Sequence, residues 1–224
     1  MSLFAAIGGV LSGIATTIGP TLATAASFLV TKLPVILETA AVCVQAISTV
    51  VTHISESLDI APSGEKPEEL GAKILQEGTR PIEGEETTQE YLDYLRNEVI
   101  LDKAILEQMS NEERLNCEVV GDTLIAKSIE EKTGVELPAD FLLCIPRMNL
   151  QAQTVGALIK AFSDVGIPSL NEYIRYISND MSEAEAKITG NAVKEAIHEM
   201  APEMSQEDIQ SEIIAMKRSY NEEK

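Results

Sequence analysis

"SEAEAKITGNAVKEAIHEM", Ser182–Met200, decides the fold class of this chain. Its serine is followed three residues later by a glutamate, Glu185. That pairing closes a helix start reciprocally, because each side chain accepts a hydrogen bond from the other residue's backbone N–H. Ile188, Val193, Ile197 and Met200 then recur at helical spacing. The same signature appears as Thr87 with Glu90, Ser110 with Glu113, Ser169 with Glu172 and, with Asp for Glu, Ser205 with Asp208. Tyr91, Leu95 and Val99 follow the first of these, and Gly134 and Gly166 fall where helices should stop. A single match is weak; five, each ahead of an amphipathic run, predict a helical bundle over residues 87–224. No strand alternation competes, although "DFLLCIP", Asp140–Pro146, is too short to assign.

Working outward, the start of the chain differs in kind. Ser2–Val30, "SLFAAIGGVLSGIATTIGPTLATAASFLV", carries no charged residue. Gly19-Pro20 interrupts it, and Lys32 and Pro34 mark a turn, Pro34 suiting the first turn of a return helix that runs to about Ile60. Residues 1–60 therefore predict an apolar α-hairpin. Residues 61–86 predict a Pro-, Gly- and Glu-rich linker around one short helix, Glu68–Gln76, with Gly78 as its stop. The expected class is all-α: an N-terminal apolar helical hairpin plus a C-terminal acidic helical bundle. With no Trp and 4% aromatic residues in 224, the core must come from Ala, Leu, Ile, Val and Met, a palette that favours helices.

The net charge is −19 and unevenly spread. Residues 1–60 hold one cation, Lys32, and three acids, Glu38, Glu56 and Asp59; the rest carries 16 Lys and Arg against 33 Asp and Glu. Such a surface repels phosphate backbones, and the six arginines form no basic stripe, so no nucleic-acid partner is expected. Anionic lipid would not attract this body either, which leaves apolar burial of the N-terminus as the route to a membrane. Three scattered cysteines, Cys43, Cys117 and Cys144, predict buried, reduced thiols and synthesis in a reducing cytoplasm. Ala23-Thr24-Ala25 resembles a signal-peptidase site, but no cation precedes the apolar run, so cleavage is not expected.

Catalytic signatures are missing. His53 and His198 have no ligands at metal spacing, "GGVLSG" lacks the Lys-Ser or Lys-Thr of a phosphate loop, and no nucleophile elbow occurs. Acid pairs such as Glu112 with Glu113 and Glu130 with Glu131 read as solvated faces. The expectation is no enzyme, no cofactor and no metal.

Two patterns in the apolar block carry the functional reading. Ala5, Gly9, Gly13 and Thr17 recur every fourth residue and form a candidate helix-packing face, since small residues let membrane helices approach closely. Glu38, Gln45 and Thr52, with Ser48 and Thr49 alongside, form a polar stripe on the return helix that would line a wet path in an assembly. Ser2–Gly19 as a helix would reach about 27 Å and Val35–Ile54 about 30 Å, near the hydrocarbon thickness of a bilayer. A soluble amphipathic helix has the same spacing as the stripe.

The layout, a small acidic helical body behind an uncharged glycine-rich hairpin, resembles the small antibacterial pore-forming effectors that bacteria inject into rivals through type VI secretion. The resemblance covers organisation and length and no residue motif. It implies ion-conducting insertion into a target membrane as a homo-oligomer, a cognate immunity protein, and carriage by a delivery-tube protein or chaperone. The expected function is a membrane-inserting pore former, made soluble and then secreted or delivered. The alternative is a structural protein of a virion or secretion apparatus whose hairpin is buried by copies of itself or by a partner.

Overall fold

Side-chain capping sets half of the helix starts in the computed structural model, which describes residues 37–77 and 87–222: Thr87, Asp102, Ser110, Ser182 and Ser205 each accept from a backbone amide of the first turn. In chain order the helices are α1 (Leu37–Ser57), α2 (Pro67–Glu77), α3 (Thr88–Asn97), α4 (Lys103–Gln108), α5 (Asn111–Thr133), α6 (Ala139–Arg147), α7 (Ala152–Val165), α8 (Asn171–Ile177), α9 (Glu183–Met200) and α10 (Gln206–Glu222). The protein is all-α among the described residues; its one β feature there is an isolated bridge between Glu136 and Ser169. Reciprocal boxes form at Thr87 with Glu90 and at Ser182 with Glu185. Ser110 and Glu113 exchange the same bonds at the head of α5. Ser205 accepts from the Asp208 amide at 3.2 Å. Gly134 and Gly166 take the left-handed conformation, φ 71° and 72°, just past α5 and α7.

The fifth expected box does not form. The Glu136 amide donates to the Pro168 carbonyl at 2.8 Å and the Leu170 amide to the Glu136 carbonyl at 3.0 Å, so this backbone bridge fixes the chain around Ser169. α8 starts one residue later from Leu170 without a side-chain cap, and Glu172 instead holds Arg175 at 2.8 Å. "DFLLCIP" is helical, the body of α6, with Pro146 in its last turn where the broken ladder costs least.

The chain divides into two compact units, up to Ile129 and from Glu130 onward. The division falls inside α5, not at residue 87, and the physical reason lies in α1 and α2. α1 buries Val44, Ile47, Val51 and Ile54 in the first unit, and α2 buries Leu70, Ala72 and Ile74. Residues 67–77 are thus core, not spacer, despite their linker-like flanks. Where α2 crosses α5, the backbones nearly touch. A Cβ on Gly71 would stand 1.9 Å from the Cys117 carbonyl oxygen, and one on Gly121 2.0 Å from that of Pro67. The loop before α2 is pinned by Arg96 of α3, whose Nε and Nη2 both bond the Glu65 carboxylate at 2.7 Å. Lys73 of α2 reaches the Leu95 carbonyl at 2.7 Å.

In the second unit α9 packs along α7, with α8 and α10 against α9 and α6 against α8. Tyr173 and Phe141 meet edge-on at 6.1 Å between ring centres, both fully buried. Among the described residues no helix is long and apolar enough to cross a membrane. The bilayer-length span suggested for Val35–Ile54 begins outside the described residues; its described part lies in α1, where Gln45, Ser48, Thr49, Thr52 and His53 line one polar groove.

Candidate functional site: a hydroxyl groove over buried acids

The polar stripe of α1 is the one sequence-derived site within the described residues. Ala5, Gly9, Gly13, Thr17, Lys32 and Pro34 lie outside them, and Glu38 belongs to α1 although its side chain is not among those described. Gln45 and Thr49 are exposed, Thr52 is half-buried and Ser48 is buried. All four line a shallow groove of about 310 Å³ together with His53, Glu56 and Glu118, the last contributed by α5. The stripe is thus turned partly inward: Ser48 shares its helix face with Val44, Ile47 and Val51, while Cys43, expected on the apolar side, is half-exposed.

Local hydrogen bonding sorts the hydroxyls. Thr49 Oγ1 donates to the Gln45 carbonyl and Ser55 Oγ to the Thr52 carbonyl, each at 2.7 Å, the usual back-bonding of Ser and Thr within a helix. Thr52 Oγ1 is buried and has no hydrogen-bond partner. Ser48 faces α5, where it meets Glu118 and Asp122.

Asp122 is the unexpected member. It is 5% exposed, one turn beyond Glu118 in the middle of α5, and neither carboxyl oxygen has a hydrogen-bond partner. Burial pushes its pKa well above the ordinary carboxylate value, and the nearby Glu118 charge pushes the same way; the Ser48 hydroxyl opposes both without making a well-formed bond. Glu118, half-buried, is raised by burial first and by Glu68 of α2 last, with Ser48 again opposing. A serine thus sits between two carboxyls that are both easier to protonate than usual.

Sequence reasoning passed over both acids because it weighed only acids in pairs. The available signal was an aspartate inside "VVGDTLIA", Val119–Ala126, a run otherwise apolar or small. Such a residue is either functional or costly. α5 is buried nearly all round this point, from Val119 to Ala126.

A larger cavity, about 480 Å³, lies in the second unit between α6, α8 and Tyr220. Its arginines are already engaged. Arg175 pairs with Glu172 and Glu185, and Arg147 lies 4.5 Å over the Tyr220 ring while donating to the Tyr220 carbonyl at 3.0 Å. Among the described residues no group of three or more His, Cys, Asp and Glu is placed to hold a metal ion. No protein-family model, no curated protein and no solved structure matches this chain.

Proposed function

We propose that this is a non-enzymatic, membrane-inserting protein whose uncharged segment, Ser2–Thr31, enters a target bilayer as an oligomer and makes it leaky to ions. The observation that carries the reading is the thirty-residue absence of charge in a chain of net charge −19. A segment of that composition needs burial on nearly every side, by lipid or by protein. The packing of α1 refines the division of labour. α1 belongs to the core of the first unit, which supports a membrane-active part ahead of it, with α1 joining that part to an acidic carrier. Glu38, Gln45, Ser48, Thr49 and Thr52 reach a pore wall only after α1 leaves α5. The partners this reading requires are a lipid membrane, further copies of the chain and a delivery or protective protein.

The test is leakage of dye and ions from liposomes, comparing the full chain with one lacking residues 2–31. Deletion to Thr87 would be uninformative, because it removes α1 and α2 from the first unit's core. Leakage by the full chain and none by the shortened one is expected; equal leakage overturns the reading. A second reading, an assembly component whose hairpin is enclosed by protein, is favoured by one observation, the burial of Val44, Ile47, Val51 and Ile54 without lipid. It requires a defined oligomer without detergent and liposomes left intact.

A further inference from the structure

We infer that α1 is a releasable cover, and that its seat on α5 is built to loosen as Asp122 and Glu118 take up negative charge. The inference rests on the membrane-inserting reading for its purpose and on the α1–α5 seam for its substance.

The seam has the composition of an interface meant to part. On the α5 side, Asp122 is buried with both oxygens lacking a hydrogen bond. On the α1 side, the Thr52 hydroxyl is buried in the same condition. Each such group forfeits its hydration without recompense, so the packed state is weaker than an apolar seam of the same area. Leucine at residue 122 would pack as well and cost nothing in desolvation; aspartate costs most when ionised.

The neighbours of Asp122 make its ionisation harder. From its own helix comes Glu118, an acid. From α1 comes Ser48, neutral, with His53 and Glu56 further along the groove. From α2, Glu68 acts on Glu118, and Arg114 meets Glu68 at 3.3 Å. The groups that act on Asp122 are Ser48 and Glu118, neither of them a cation.

The sign of the pH dependence follows. With α1 seated, Asp122 holds its proton to higher pH than an ordinary aspartate, whose value is 3.8. With α1 lifted and the carboxyl hydrated, the proton leaves near that ordinary value. The seated state binds the extra proton, so seating is at full strength below the ordinary value and weakens as pH rises toward the raised one. Glu118 contributes in the same direction. Neutral solution therefore loosens α1, and acid tightens it. The reverse holds for an acid-triggered toxin.

Hydrogen exchange on the full chain tests this, read over residues 44–57 at about pH 5 and about pH 8 and corrected for the intrinsic pH dependence of exchange. Protection of α1 is expected to fall on the order of tenfold or more, since one proton released on opening changes the equilibrium about tenfold per pH unit within its window. Residues 188–197 of α9 serve as the internal reference and should hold their corrected protection. The double variant Asp122→Asn/Glu118→Gln should abolish the dependence, and Asp122→Leu should raise α1 protection at the higher pH. Corrected α1 protection that does not change with pH, or a dependence that survives in the double variant, overturns the proposal. If the variants do not fold, the wild-type comparison of α1 with α9 decides alone. Liposome leakage is measured separately: absent leakage with a pH-dependent α1 sinks the membrane reading and leaves the cover intact, and the converse sinks the cover.

Discussion

The two units are both helical among the described residues, yet they solve the core problem differently. In the second unit bulk does the work: Phe141, Phe162 and Tyr173 are fully buried, and the Tyr173 hydroxyl finds the Met216 sulfur at 3.9 Å. In the first unit closeness does much of it, with two glycines letting backbones meet and a buried aspartate left without a hydrogen bond beneath α1. In the second core burial pushes the titratable groups, the Cys144 thiol and the Tyr173 phenol, further from ionising, and in the first it acts on a carboxyl, Asp122. A unit made to hold its shape and a unit made to change it would differ in this way.

The largest effect that separates them is a truncation. Phe162→Ala should destabilise the second unit by about 4 kcal/mol, because a wholly buried ring leaves a cavity. The check is urea unfolding followed through α9 exchange. The first unit should fail instead on addition. Gly121→Ala or Gly71→Ala places a methyl some 2 Å from a carbonyl oxygen that belongs to a helix and cannot step aside. A loss of about 3 kcal/mol is expected, with α2 exchange rising before that of α5. Unchanged unfolding in either glycine variant would show that the close crossing is not a feature of the fold.

Smaller effects sharpen the contrast. Asp122→Leu should stabilise the first unit by about 1–2 kcal/mol near neutral pH and by less in acid, where the aspartate is already protonated. Calorimetry at the two pH values measures the difference. The second unit has the opposite slope at its surface. Ser182 holds the Glu185 carboxylate below its ordinary pKa through two hydrogen bonds, so that contribution exists above the ordinary carboxylate range and is lost as pH falls through the lowered value. Ser182→Ala should remove the hydroxyl's share of it while the backbone bond remains, seen as a slightly lower Tm near neutral pH and a somewhat flatter acid limb. Smallest of all, Gly190→Ala should change stability by no more than about 1 kcal/mol. Its Cβ would meet the end of the buried Tyr176 ring, the hydroxyl at 2.8 Å and Cε2 at 3.0 Å, so the ring must shift slightly, a cost that alanine's helix preference partly offsets.

Helix existence was legible because capping is local: Thr87, Ser110, Ser182 and Ser205 act on residues within one turn of themselves. Ser169 misled because the residues on either side of it, Pro168 and Leu170, bond Glu136, which lies far away in sequence, and its hydroxyl accepts from the Asn171 amide instead. The unit boundary was illegible for a related reason. The linker-like prolines and glutamates around α2 describe its flanks, whereas its placement depends on two glycines, in α2 and α5, that no pattern within either helix marks as partners. Of the groove, α1's half could be read from periodicity and α5's half could not. Periodicity reports which face a residue occupies, and α5 near Asp122 is buried on all faces.

The crossing at Gly71 and Gly121 also fixes where movement can occur. Side chains that interdigitate can exchange rotamers and let two helices slip; peptide groups in direct contact offer no such slack, and a shift of one residue would drive a Cβ into a carbonyl. α2 and α5 are therefore indexed to each other like a tooth in a notch. Whatever motion α1 makes is made against that stationary abutment, which leaves α5 standing in register to receive it again.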